Sequence, residues 1–263
     1  MKTRILAVLA FALLAPAAAL EAQSGLGRDQ DVWTWSGQLA AGQWARAHNV
    51  NGSVRFEPSP DNRIHIRAEK EYRRGDPRDI SYALVRTPSG LTICVLRHEI
   101  DECTDDGIDS RRHRNYNSNV SADLTIQVPR GAHVSANTVN GGVRVDRVNG
   151  EIKASTVNGG VTVATSGGPV SATTVNGSIR ADIGTATREA MRFRTVNGSV
   201  EVSLPGATAA NLDISTVNGS INTEFPITVT GRWGPKNARG TINGGGETIS
   251  IGTVNGSVRL RKS

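Results

Sequence analysis

TVNGGVRVDRVNGEIKASTVNGGVTV, residues 138–163, carries the tripeptide Val-Asn-Gly three times at nine-residue intervals. The tripeptide recurs along the chain, centred on Asn51, Asn140, Asn149, Asn158, Asn176, Asn197, Asn218 and Asn255, and Ile242-Asn243-Gly244 is a degenerate copy. From Asn140 the spacing is 9, 9 and 18, with Ser166-Gly167-Gly168 in the vacant slot, and then 21 and 21. So dense a period marks stacked units, each too small to bury its apolar face alone. The expected fold class is all-β: a parallel β-solenoid, or β-helix, with coils of roughly 18–21 residues, each built from two repeats.

The apolar phase carries the same message. Val139, Val143, Val145, Val148, Ile152, Ala154, Val157, Val161 and Val163 are separated mostly by steps of four and two, which keep strand parity and place them on one inner face. The three-residue step from Val145 to Val148 breaks parity, and a corner between strands is expected to absorb it. Glycine suits a bend, and the asparagine beside it tolerates one. Stacked coils would set asparagine above asparagine as a structural amide ladder. Thr138, Thr156, Thr174, Thr195, Thr216 and Thr253 would then point outward. Arg144 with Asp146 and Arg180 with Asp182 read as a mixed-charge outer face.

Lys2 and Arg4 precede an apolar run, Ile5 to Leu14, and a small-residue zone, Ala15-Pro16-Ala17-Ala18-Ala19. That is the order of a secretory signal, and the run is too short to span a bilayer. Residues 1–22 are read as the signal, with cleavage after Ala22 preferred to Ala19. The remainder, with no second apolar stretch of membrane length, is expected in the periplasm or outside the cell, including its surface. The chain has 30 basic and 24 acidic residues, dispersed except for Arg111-Arg112-His113-Arg114, so nucleic acid is not an expected partner. Aromatic residues make up only 4%, whereas glycine numbers 29, which suits a thin core of Val, Ile, Ala and Thr.

Residues 23–130 form a less regular β region ahead of the repetitive solenoid at 131–263, either separate from it or continuous with it. Strands are expected over 32–39, 44–50, 64–68, 80–86, 91–96 and 122–128, punctuated by Pro58-Ser59-Pro60, Asp76-Pro77 and Pro88-Ser89-Gly90. The even cysteine count in an exported chain favours a disulfide between Cys94 and Cys103. It would tie the base of a polar segment, 101–116, expected to be an exposed loop. The only helical candidate is 186–192.

Several of these features together resemble the bacterial β-strand-repeat family named "putative adhesin", a domain of unknown function. They are Trp35-Ser36-Gly37 with Ala41-Gly42-Gln43, Val50-Asn51-Gly52-Ser53-Val54, the Cys94 strand with Cys103 beyond it, Leu124-Thr125-Ile126-Gln127-Val128-Pro129-Arg130-Gly131, and the Thr-Val-Asn-Gly series. The resemblance covers roughly residues 32–261 and implies a right-handed solenoid and an envelope location. It carries no catalytic residues.

No catalytic, metal-binding or cofactor-binding residues are assigned. The repeats lack the aspartate of calcium-binding β-rolls, and the acids Asp101, Glu102, Asp105, Asp106 and Asp109 do not have EF-hand spacing, so they read as a solvated loop. No Gly-x-Ser-x-Gly elbow is present, and Gly244-Gly245-Gly246 lacks the lysine of a phosphate loop. The expected role is non-catalytic, adhesin-like or structural, with an extended surface for an envelope or surface macromolecule, a glycan or a protein, and self-association left open. Alternatives are an enzyme acting on envelope polysaccharide and a Thr-x-Asn array that orders water or ice. N-terminal sequencing of the exported protein should begin at Gln23; a start at Leu20 would move cleavage to Ala19.

Overall fold

The computed structural model describes residues 21–73, 75–97, 101–110, 120–186, 188–230 and 235–263. The signal's apolar run, the basic stretch 111–114 and the remainder of the polar segment to 116 lie outside the described residues.

Each pair of repeats becomes one coil with two strands, one in each of two facing sheets. The chain runs through β1 (Glu21–Leu26), β2 (Val32–Gln38), β3 (Trp44–His48), β4 (Val54–Pro58), β5 (Arg63–Tyr72), β6 (Ser81–Thr87), β7 (Gly90–Leu96), β8 (Asp101–Thr104), β9 (Gly107–Ser110) and β10 (Val120–Val128). The coils follow as β11 (His133–Asn137) with β12 (Val143–Val148), β13 (Ile152–Ser155) with β14 (Val161–Thr165), β15 (Val170–Thr173) with β16 (Ile179–Ile183), and β17 (Met191–Asn197) with β18 (Val200–Leu204). Next come β19 (Ala210–Asn218) with β20 (Ile221–Thr223), a hairpin of β21 (Thr228–Thr230) and β22 (Lys236–Ile242), and a last coil of β23 (Thr248–Asn255) with β24 (Val258–Lys262). No helix forms at 188–192; Met191 and Arg192 open β17.

Sheet A has the order β1-β6-β7-β3-β11-β13-β15-β17-β23-β19-β22-β21, and sheet B the order β2-β5-β10-β4-β12-β14-β16-β18-β24-β20. From β3 and β4 onward the coils pair in parallel and in register. Val54, Val143, Val161, Ile179, Val200, Val258 and Ile221 form one inner row of sheet B. Both sheets cross residue 130 without a break, because β3 lies between β7 and β11 and β4 between β10 and β12. The inner faces share one apolar core, and burying each valine or isoleucine contributes roughly 1.5–3 kcal/mol.

The parity break is absorbed inside a strand. Arg147 adopts φ 52°, and the β12–β14 register slips between Asp146 and Val148. The extra residue is a β-bulge that returns Val148 to the core.

A second departure is topological. The coil that comes last in sequence is not last in space: β23 and β24 lie between the coil of β17 and β18 and that of β19 and β20. The 21 residues from Asn197 to Asn218 therefore do not link stacked neighbours.

The irregular end is antiparallel. β5 pairs with β2 and β10, and β6 pairs with β1 and β7. Trp33 stacks on Tyr82 with ring centroids 5.1 Å apart, while the buried Lys70 ammonium donates to the carbonyls of Gly27, Arg28 and Pro77 at 3.0, 2.7 and 2.8 Å. All three of its protons are used, which is how a lysine is accommodated at this depth.

At each Thr-Val-Asn-Gly corner the coils approach closely. A Cβ on Gly159 would strike the Gly141 carbonyl oxygen, and the same holds for Gly177 above Gly159 and Gly198 above Gly177. Thr156 donates to that same Gly141 oxygen at 2.8 Å from inside the wall. Destabilisation measured by chemical denaturation should fall in the order Gly159→Ala, Thr156→Val, Asn158→Ala. The first forces coils apart, the second leaves the half-buried Gly141 carbonyl without its hydroxyl donor at a cost of about 1–2 kcal/mol, and the third removes exposed amide bonds worth about 1 kcal/mol or less. An Asn158→Ala loss equal to that of Gly159→Ala would contradict this hierarchy.

Candidate interaction surfaces

The repeat corner presents two parallel columns. In the first, each asparagine donates its amide to the side-chain oxygen of the next: Asn140 to Asn51, Asn158 to Asn140, Asn176 to Asn158, Asn197 to Asn176, Asn255 to Asn197 and Asn218 to Asn255, at 2.8–2.9 Å. Asn149 stands apart at the opposite corner, where its oxygen accepts from the Gly131 amide at 2.9 Å. Its Val-Asn-Gly belongs to the bulged return and not to the stacked turn.

The second column is valine. Val139, Val157, Val175, Val196, Val217 and Val254 are 38–40% exposed, whereas the threonines before them are only 1–5% exposed. The sequence expectation had these reversed. Strand parity does not pass through a tight corner, and the hydroxyl is needed inside to satisfy a glycine carbonyl from the adjacent coil: Thr138 on Gly52, Thr174 on Gly159, Thr195 on Gly177, Thr216 on Gly256 and Thr253 on Gly198. An outward Thr-x-Asn array that orders water or ice therefore does not exist here.

On the outer face of sheet B, two arginines share each of two carboxylates. Arg144 and Arg55 both reach Asp146, at 2.7 and 3.6 Å, and Arg180 and Arg261 both reach Glu201 at 3.3 Å. The outer face of sheet A differs. Its central row runs Arg46, Ser135, Lys153, Ser171, Arg192, Ser250, Asp213 and Arg239 on successive strands. At the Arg46 end, Trp44 packs against His133 at 5.1 Å, and Lys153 lies 4.4 Å from its ring centroid. Tryptophan's electron-rich face favours such a cation. The sequence showed these residues but not the row, because its register depends on which strands pair.

The polar segment after Cys103 is a structured cover, at least over its described part. β8 and β9 form a hairpin, joined to β7 through the Cys94–Cys103 bond, with Cα atoms 5.7 Å apart. Ala83, Cys94 and Leu96 pack beneath it with Cys103 and Ile108. Asp105 at the hairpin turn accepts from the hydroxyls of Thr92, Thr87 and Ser89 at 2.9, 3.1 and 3.1 Å, and from Arg46 at 3.4 Å. It is thus an inward clamp and not a solvated acid. Burial opposes its charge, but these donors outweigh that and hold its pKa below the ordinary carboxylate value. His48, 8% exposed, sits under the same turn. Burial and then the Arg46 charge lower its pKa, against smaller raising effects from the Asp105 backbone and the charges of Asp106 and Asp105. Among the described residues no three His, Cys, Asp or Glu side chains are grouped to hold a metal ion.

A histidine with a lowered folded pKa favours the fold above its ordinary value of 6.5 and loses that contribution as pH falls through the folded value. Asp105 adds a second loss in stronger acid, by the same sign. The melting temperature should fall between about pH 7 and about pH 5 in wild type and stay flatter over that window in His48→Gln. Parallel curves for the two proteins would remove His48 from the pH response.

The fold invites comparison with known proteins. No curated protein matches the chain. A solved structure from Clostridium sporogenes, titled "putative cell adhesion protein", aligns over 93% of this chain and 100% of its own, with 8% identity and a TM-score of 0.50. Another from Bacteroides fragilis, titled "putative adhesin", aligns over 88% of this chain and 97% of its own, with 12% identity and a TM-score of 0.41. The first shares the fold. Residues 110–261, more than half of the chain, match the Toastrack DUF4097 family. With its facing parallel sheets and stacked Thr-Val-Asn-Gly corners, this chain belongs to the Toastrack DUF4097 family.

Proposed function

We propose that the chain is a non-catalytic exported envelope protein that binds a macromolecule along the outer faces of its sheets, in the manner of an adhesin. The observation that carries this reading is the register of the outer rows. Side chains recur once per strand along the whole stack, an arrangement suited to a long ligand with its own repeat. The disulfide and the N-terminal signal pattern support an oxidising, exported setting.

Asp61 and Asp76 are pulled down to about 2, by the His65 and Arg78 side chains respectively, and Asp105 also moves down, so none of these three has the raised carboxyl of a glycosidase acid. Purified protein should retain at least one class of polymer on an array of envelope glycans and surface proteins, without releasing new reducing ends. Retention of none, together with unchanged surface attachment of a deletion strain, would defeat the proposal; new reducing ends would replace it with an enzyme.

A further inference from the structure

We infer that the binding face is the outer face of sheet A and that its ligand is a linear polysaccharide bearing one acidic group per disaccharide. This rests on the binding role proposed above and gives it a surface and a chemistry.

The inference comes from the row already described. Arg46, Lys153 and Arg192 occupy every second strand, and Ser135, Ser171 and Ser250 occupy the strands between and beyond them. Neighbouring strands lie about 4.8 Å apart, so the cations repeat at about 10 Å. An extended β-linked polysaccharide advances by a comparable length per disaccharide. One acidic group on every second sugar would then meet a cation, while the hydroxyls of the intervening sugar meet serine.

The flanking row supports the same ligand. It runs Asn137, Ser155, Thr173, Arg194, Gly252 and Ser215, supplying neutral donors and acceptors and one further cation. Arg192 and Arg194 are exposed, and neither pairs with a carboxylate among the described residues. Lys153 bonds Glu151 at 3.0 Å and offers only part of its capacity. Arg46, 18% exposed and held by Asp105 and Ser89 at 3.4 and 3.2 Å, marks the covered end of the row, so Lys153 and Arg192 are the cations a ligand reaches. A shallow hollow of about 280 Å³ beside the row, bordered by Glu151, Pro169, Ser171, Arg192 and Thr248, gives room for a sugar ring.

The alternative face lacks this character. On sheet B two arginines share each of Asp146 and Glu201, and a polyanion would have to compete with those carboxylates for all four. Beyond Ser250, sheet A also closes the run, because Asp213 takes Arg239 at 3.2 Å.

The test is calorimetric titration of the purified chain with four probes. Hyaluronan carries one carboxylate per disaccharide, polygalacturonate one per monosaccharide, dextran none, and single-stranded DNA one phosphate per nucleotide. Hyaluronan should bind most tightly, dextran should not bind, and added salt should weaken the complex. The triple change Lys153→Ser, Arg192→Ser and Arg194→Ser should weaken hyaluronan binding about tenfold or more, whereas Arg144→Ser with Arg180→Ser on the other face should leave it within about twofold. Melting curves establish that each variant is folded; if the serine set does not fold, glutamine at the same three exposed positions takes its place.

Equal hyaluronan binding by wild type and the folded triple variant would overturn the assigned face. Equally tight binding of polygalacturonate, or of single-stranded DNA, would show that charge alone is read and would overturn the spacing argument. Failure to bind hyaluronan, with an envelope polymer still retained on the array, would sink this inference and spare the broader role. Failure of both would sink both.

Discussion

The contact of coil on coil at the Thr-Val-Asn-Gly corner constrains everything else. Gly159 sits where any side chain would meet the Gly141 carbonyl, and Thr156 donates to that carbonyl from within the wall. Asn158 ties the outside of the same turn to Asn140 and Asn176. One corner thus uses each residue once: threonine satisfies a half-buried acceptor, glycine permits contact, and asparagine joins neighbouring rungs. Valine is left to face solvent. A sheet stacked at this distance must keep its register, which brings Val143, Val161 and Ile179 into a single inner row.

That constraint also explains which features could be read from sequence. The period, the two-strand coil and the ladder follow from residues that repeat because the geometry repeats. Threonine and valine were exchanged because a two-residue alternation holds along a strand and fails around a turn. The glycine carbonyl that claims Thr156 belongs to another coil, and a linear pattern does not display it. Asn149 shares the motif but not the corner, since the Arg147 bulge shifts its half of the coil. Trp44, His48 and Asp105 gained meaning only once the hairpin had folded onto sheet A. Their contacts join elements far apart in the chain: Asp105 meets Arg46 across 59 positions.

The two outer faces diverge although the same coils build both. On sheet B, two arginines crowd each of Asp146 and Glu201, and exposed pairs of this kind contribute little to stability. On sheet A, serine separates the cations in the central stretch, where Glu151 pairs with Lys153 while Arg192 and Arg194 meet no carboxylate among the described residues. Core residues do not encode this difference, because the inner rows of both sheets are apolar, mostly valine, isoleucine and alanine with Phe56, Phe193, Met191, Leu212 and Leu260 among them. What distinguishes the faces is the set of positions that packing leaves free, which is where a repeat protein has room to acquire a ligand.

The order of the coils adds a last consequence. The coil of β23 and β24 carries the same corner as its neighbours, so the threonine, asparagine and glycine contacts would serve equally well for a coil stacked in sequence order. The corner motif therefore cannot choose the arrangement. The choice falls to β22, which pairs antiparallel with β19 along its far edge. With that edge taken, the parallel edge of β19 faces back toward β17, and the returning chain fills the position between them. The same hairpin ends sheet A with the three-residue β21, and sheet B ends on the three-residue β20. Such short edges offer few backbone groups to another chain. An antiparallel strand beside a parallel stack thus both selects the coil order and terminates the solenoid.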